Sequence, residues 1–295
     1  MTMFRFLIAK RPFSPIGFHA GGYTPSFVAT NDRRLLDTDT VAASTSLTTA
    51  RAFYSAHADS VLGIFSGGAP NFSSYLTSTE KINFSTGSKA SGGSLTLGKR
   101  GQGAHSFANG TAIMPGGYNG AVLSSNDKYA YSTDTYTSTT ALDVARNGLG
   151  SAGNADFGLF GGGQNSSSVN IKTTSKWFVA TETSSSATDI ISARSGVSGA
   201  ANQSFGLFSG GDSFATSVDK YQYSNDTVAS GTALSTGRVN ISAASTKEKA
   251  FYGGGQTSVS STDVYNFSTD GRTSGTALTQ ARQGLAACSN AQAHL

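Results

Sequence analysis

One glycine pair recurs six times along this chain, and nothing else in the sequence limits its fold as tightly. The second glycines are Gly22, Gly68, Gly117, Gly163, Gly211 and Gly255, separated by 46, 49, 46, 48 and 44 residues. An arginine stands 16 residues before the first glycine of every pair, at Arg5, Arg51, Arg100, Arg146, Arg194 and Arg238. Arg282 opens a seventh, partial copy. A third marker follows each pair, at Arg34, Ile82, Tyr129, Trp177, Tyr221 and Tyr265. It precedes the next arginine by 17 residues in five copies and by 18 in one. Self-similarity at a fixed period means that one small unit buries its apolar surface against its neighbours.

Each unit reads as strands. The residues before the glycine pair run small, apolar, bulky, small, as in Gly206-Leu207-Phe208-Ser209. Adjacent apolar residues suit a strand buried on both faces, and the glycines permit the positive φ of a sharp exit. The third marker stands in period-two strands such as Tyr129-Ala130-Tyr131 and Tyr221-Gln222-Tyr223. Turn clusters follow, among them Ser224-Asn225-Asp226, and then a last short strand. Charged residues make up 13% of the chain, against the usual quarter or so, and 37% is hydrophobic. That balance, with 36 glycines, fits an all-β protein with many turns rather than disorder.

Four short antiparallel strands per repeat is the pattern of a propeller blade. The chain resembles the kelch-type β-propellers in its double glycine, its downstream tyrosine and the arginine opening the next repeat, across residues 5–290. It departs from them in lacking a tryptophan after the tyrosine, since Trp177, the one tryptophan, stands in the tyrosine position. The resemblance implies a six-bladed propeller. The stretch Arg282-Gln283-Gly284-Leu285 matches Arg146-Asn147-Gly148-Leu149, whereas the N-terminal copy contains Pro12 and Pro15, which suit a strand poorly. Residues 282–290 are therefore expected to supply the innermost strand of the first blade and close the ring. Residues 1–14 are left as an N-terminal arm beside a propeller over residues 15–295.

In a meander of this kind the arginines, the glycine pairs and the loops after them share one face. Those loops vary in length while the turns opposite do not, so the variable face is the candidate for recognition. Its loops carry Tyr23, Phe27, Phe72, Tyr75, Tyr118 and Phe214. Their rings suit a sugar or a protein partner, and equally suit packing between blades. Acids at Asp32, Glu80, Asp127, Asp219 and Asp263 precede the third markers by two residues. With Arg51, Arg100, Arg146, Arg194, Arg238 and Arg282 they form a candidate structural clamp in each blade. The other reading of these arginines is a basic ring for an anion.

The signals for chemistry are sparse. Four histidines are spread over the sequence, and Cys288, the one cysteine, allows no intrachain disulfide. His19 falls on the bulky apolar position of its repeat. No metal set, cofactor motif or catalytic triad is legible, and a non-enzymatic module is expected. The net charge of +4 is scattered, unlike the basic clusters of nucleic-acid binders. The four-residue apolar run near the start is too short for a signal-peptide core, and no span reaches membrane length.

The texture, rich in Gly, Ser, Thr and Ala with clean repeats, resembles kelch-like virion proteins of tailed bacteriophages. That resemblance implies a head, neck or tail appendage assembled in the host cytoplasm. Its partners would be other virion proteins, reached through the arm, or surface carbohydrate, with a multimeric arrangement on the particle. A stand-alone lectin-like propeller is the alternative, and a propeller oxidase or lyase a third.

Overall fold

The computed structural model describes residues 14–256 and 259–291. Its regular structure among these residues is entirely strands, arranged as six four-stranded antiparallel sheets. The protein is a six-bladed β-propeller. Blade 5 shows the unit: inner strand Ser198–Ala201, second strand Phe205–Ser209, third strand Val218–Gln222 and outer strand Thr227–Gly231. Five blades are continuous in sequence. Blade 1 takes its second to fourth strands from Ile16–Tyr23, Phe27–Leu35 and Thr40–Ser44, and its inner strand from Ala286–Ser289.

Burial follows position in the blade. The second strands are buried at every residue but the first in five blades, whereas the outer strands are largely exposed. Sheets stacked face to face around an axis explain this, because a central strand has a neighbouring blade on each side. The period-one apolar runs in the sequence therefore report packing on two faces. The core lies between blades. Leu207 and Val218 of blade 5 join Ala250, Tyr252 and Tyr265 of blade 6 in one cluster. At the third marker, Trp177, Tyr129, Tyr221 and Tyr265 are all buried, with Arg34 and Ile82 in the same slot.

The ring closes as the sequence implies. Phe18 pairs with Cys288 in the antiparallel register of the innermost ladder. At the lower face the two ends of the described chain are tied together: Ile16 N donates to Asn290 Oδ1 at 2.8 Å, and Asn290 N donates to Ile16 O at 3.1 Å. The seam is regular on the opposite face too. The second glycine of each pair donates to the backbone carbonyl of the clamp residue in the next blade, from Gly22 to Arg51 through Gly255 to Arg282. Both glycines of each pair have φ between 56° and 127°, a region that side chains with a Cβ avoid. The N-terminal arm over residues 1–14 falls outside the described residues except for Ser14.

The lower face is nearly constant. In blades 2, 4, 5 and 6 the inner and second strands are joined by one design of turn. Asp59, Asn154, Asn202 or Thr246 accepts through its side chain from backbone N–H groups two and three residues on. Such side-chain-closed turns are what short polar residues at a strand end favour. The third and fourth strands turn at an acid with positive φ in five blades: Asp39, Asp134, Glu182, Asp226 and Asp270. Four of these acids receive a lysine from the preceding blade. Lys81 reaches Asp134 and Lys176 reaches Asp226, each at 2.5 Å; Lys220 reaches Asp270 at 3.8 Å, and Lys128 pairs with Glu182.

Candidate functional site

Five of the six clamps use a cation and an acid of the same blade. Arg51 pairs with Glu80, Arg194 with Asp219 and Arg282 with Asp32, each at 2.9 Å, and Arg238 pairs with Asp263. In blade 4, where Ser175 replaces the acid, Arg146 binds the Ser175 hydroxyl and Asp143 instead. The guanidiniums also donate to the carbonyls that lead into the third strand, as Arg51 does to Ser78 O at 2.9 Å. These groups are buried and paired, and burial lowers the Arg194 and Arg238 pKa values while raising that of Asp219. Hydrogen bonds to carbonyls and acids occupy the terminal guanidinium nitrogens of Arg51, Arg238 and Arg282, while Nε of Arg194, Arg238 and Arg282 has no partner among the described residues.

Arg100 is the exception and corrects the sequence reading. The clamp of blade 3 is Lys99, which reaches Asp127 at 2.8 Å and donates to Met114 O at 2.7 Å. Burial lowers the Lys99 pKa, and Asp127 opposes that shift. The physical reason lies at the other end of the strand. In blade 3 the closing pair Phe107–Thr111 encloses three residues, Ala108-Asn109-Gly110, where the closing pairs of blades 2, 4, 5 and 6, such as Asn202–Phe205, enclose two, and Gly110 has φ 79°. The clamp there precedes the glycine pair by one residue more, and the 16-residue spacing of Arg100 is a coincidence. Arg100 is displaced onto the upper rim.

That rim position, one residue after the clamp, carries a different side chain in every blade: Ala52, Arg100, Asn147, Ser195, Val239 and Gln283. Most pair with the residue after the glycine pair, as in the bridges Arg100 with Tyr118, Asn147 with Gln164 and Gln283 with Tyr23. The next position is uniform in conformation. Phe53, Gly101, Gly148, Gly196, Asn240 and Gly284 have φ from 57° to 66°. Their backbones form a hydrogen-bonded ring around the axis, with Phe53 N donating to Gly284 O, Gly101 N to Phe53 O and Gly148 N to Gly101 O. Val197 N to Gly148 O, Asn240 N to Gly196 O and Gly284 N to Asn240 O complete it. Glycine relaxes into this conformation and Asn tolerates it. Phe53 at φ 57° is strained by about 1–3 kcal/mol.

Above the ring lies an axial depression of about 380 Å³, lined by Phe53, Phe72, Arg100, Asn147, Ser195 and Asp212 among others. Below it the channel narrows to about 140 Å³ between the inner strands. Five of the six aromatic residues named from sequence gather in two groups on blades 1 to 3, with Phe72 lining this depression. Tyr23, Phe27 and Phe72 pack edge to face at centroid distances of 5.1 to 5.4 Å. Tyr75 meets Tyr118 at 5.8 Å. The Arg100 guanidinium lies 5.5 to 5.9 Å from the rings of Tyr118, Tyr75 and Phe53. No carboxylate stands within ion-pair distance of it among the described residues. Phe72 is 58% exposed, so the rings pack on one another and still face solvent.

Phe214 does not join them. It sits in the blade 5 loop, 48% exposed. Tyr23 and Phe27 also lie at the ends of strands rather than in a loop. In blade 1 the second and third strands continue past the glycine pair, with a register shift between Ala20 and Gly22, into a hairpin where Tyr23 faces Phe27. His19, His57, His105 and Cys288 stand elsewhere, buried within the blade stack. His57 is held by the Tyr131 and Tyr136 hydroxyls at 3.0 and 3.2 Å, and burial lowers its pKa to about 3. His105 is lowered to about 4 by burial, and His19 lies buried beside Ser242. Burial raises the Cys288 thiol pKa. His294 is outside the described residues.

No protein-family model and no curated protein matches this sequence. The architecture is nonetheless shared with solved structures. One, titled "Structure of YjhT", superposes with a TM-score of 0.72 over 90% of this chain and 98% of that one, at 12% identity. The propeller fold is common ground between the two. At that identity the likeness is one of fold alone, and in all 709 chains of solved structures match, which points to no single activity.

Proposed function

We propose that this chain is a non-enzymatic binding module whose upper face takes a saccharide chain displayed on a surface. The observation that carries the reading is the convergence of Tyr23, Phe27, Phe72, Tyr75 and Tyr118 on one sector beside the axial depression. Half-exposed rings offer flat apolar area at little entropic cost, and a few convergent polar groups set orientation. Asn147, Ser195 and Asp212 stand on the same depression and supply such groups. The propeller beneath is rigid, so the loops are free to differ without loss of fold.

The setting in this reading is a tailed-phage particle, as the texture of the repeats suggests. Both ends of the described chain lie at the lower face. A protein mounted through its ends would turn the aromatic face outward.

Glycan-array binding with the purified protein tests the ligand class. Binding of surface polysaccharides that falls at least tenfold in Phe72→Ala and Tyr118→Ala supports the reading, and absence of binding to any saccharide refutes it. Genes for portal, capsid or tail proteins beside this one support the virion setting, and a catabolic operon there argues against it. Deleting residues 1–14 should release the protein from the particle with its glycan binding intact.

A further inference from the structure

Two features of the upper face are unexplained by folding. One is Phe53, a bulky side chain in the left-handed conformation at a ring position where four other blades use glycine. Its ring is half-buried against Gly284 and lines the axial depression. The fold does not require a phenylalanine there, because Gly101, Gly148, Gly196 and Gly284 make the same backbone ring. Strain kept at one position in a symmetric array marks a site with another task. The other feature is Arg100. Lys99 already closes the clamp of blade 3, so Arg100 is free of that duty. Its guanidinium is held among Phe53, Tyr75 and Tyr118 with no acid beside it.

We infer that Phe53 and Arg100 form the subsite for an acidic sugar residue, a carboxylated hexose unit of the bound chain. The inference rests on the glycan reading above and names its chemical class. A guanidinium held against aromatic faces keeps its edge N–H groups available and is oriented before binding, so a carboxylate is met by a bidentate fork. Phe53 beside it offers a platform for the pyranose ring. Groups able to bind hydroxyls follow around the depression on blades 4 to 6, at Asn147, Ser195 and Asn240. Asp212, also among these blades, accepts from Ser195 N and Oγ, and its charge disfavours a carboxylate placed there. The acid group is thus directed to Arg100 and the hydroxyls to blades 4 to 6. The concave shape, about 380 Å³, suits one or two sugar units better than the broad surface of a folded partner.

The test uses the full-length protein and hexuronate-containing oligosaccharides, each paired with its carboxyl-reduced, neutral counterpart. Calorimetric titration should show at least tenfold weaker binding on carboxyl reduction, and a similar loss in Arg100→Gln that Arg100→Lys restores only in part. Affinity of the wild type for the acidic probes should fall with added salt. Phe53→Gly and Phe53→Ala should both bind weakly, with the glycine variant melting about 2–4 °C above the alanine variant as the backbone strain is relieved. That pairing separates lost contact from lost fold. Equal binding of acidic and reduced probes, or unchanged binding in Arg100→Gln, overturns this inference and leaves the glycan reading intact. Binding of no saccharide ends both. Equal affinity for a polyglutamate peptide would show that charge alone is recognised, and would also overturn it.

Discussion

The two faces of the disc obey different rules although the same six repeats build both. On the lower face, four blades share one side-chain-closed turn, and four lysine–acid pairs join successive blades. On the upper face, loops span residues 67–78, 116–125, 162–173 and 210–217, and blade 1 replaces its loop with a hairpin. The boundary between the two regimes is sharp. The glycine pairs are uniform and a buried cation fills every clamp, an arginine in five blades and Lys99 in blade 3, whereas the residue immediately after each clamp differs from blade to blade. Repetition therefore marks what the ring needs, and departure from repetition marks what the ring leaves free.

The largest test of this contrast compares adjacent positions. Lys99→Ala should destabilise the protein by about 3–5 kcal/mol, because it leaves Asp127 buried without its partner. Arg100→Ala should change stability by less than about 0.5 kcal/mol. Urea unfolding of the two variants measures both, and equal losses would erase the distinction between clamp and rim.

Acid should act on the blade stack before it acts on the rim. His57 is neutral when folded, with its pKa held at about 3 by burial, against about 6.5 unfolded. The unfolded state takes up the proton first, so stability is full above pH 6.5 and is lost as pH falls toward the folded value. The His57 contribution alone is about 3 kcal/mol between pH 6.5 and pH 4. Thermal melts across this range should show the decline, and His57→Gln should flatten it. An unchanged slope in that variant would place the acid sensitivity elsewhere.

Smaller effects sharpen the comparison of turn with loop. Asn202→Ala removes two hydrogen bonds of the lower turn and should cost about 1–2 kcal/mol, whereas Phe214→Ala in the upper loop of the same blade should cost under about 0.5 kcal/mol. Smallest of all, Lys176→Met removes a partly exposed lysine–acid pair and should change stability by about 1 kcal/mol or less. Its effect should shrink further in 0.5 M salt, read by chemical denaturation.

Much of the architecture was legible because its causes are local. The glycine pairs, the small-apolar-bulky-small runs and the acid before each third marker are fixed by φ, by burial on two faces and by the clamp. The same reasoning failed at Arg100, and the signal that could have corrected it was present. Lys99 lies 17 residues after Ile82, the interval of the other five repeats, and it restores the clamp-x-Gly pattern of Arg146, Arg194 and Arg282 through Gly101. The 16-residue spacing to the glycine pair masked this, because blade 3 hides an extra residue in its lower turn. The lysine before the third marker, as in Lys128-Tyr129 and Lys176-Trp177, also repeats in the sequence. Its partner lies in the next blade.

By itself, then, the sequence determined the number of blades, the ring closure by residues 282–290, the clamp acids and the face on which variation accumulates. Those follow from backbone sterics and from burial patterns that each repeat carries within itself. Only the tertiary structure decided that Tyr23 of blade 1 meets Phe72 of blade 2, and Tyr75 of blade 2 meets Tyr118 of blade 3. It also decided that Phe214 stands apart and that Phe53 and Arg100 share one depression. Those contacts join different blades, and their geometry is set by the closed ring rather than by any single repeat.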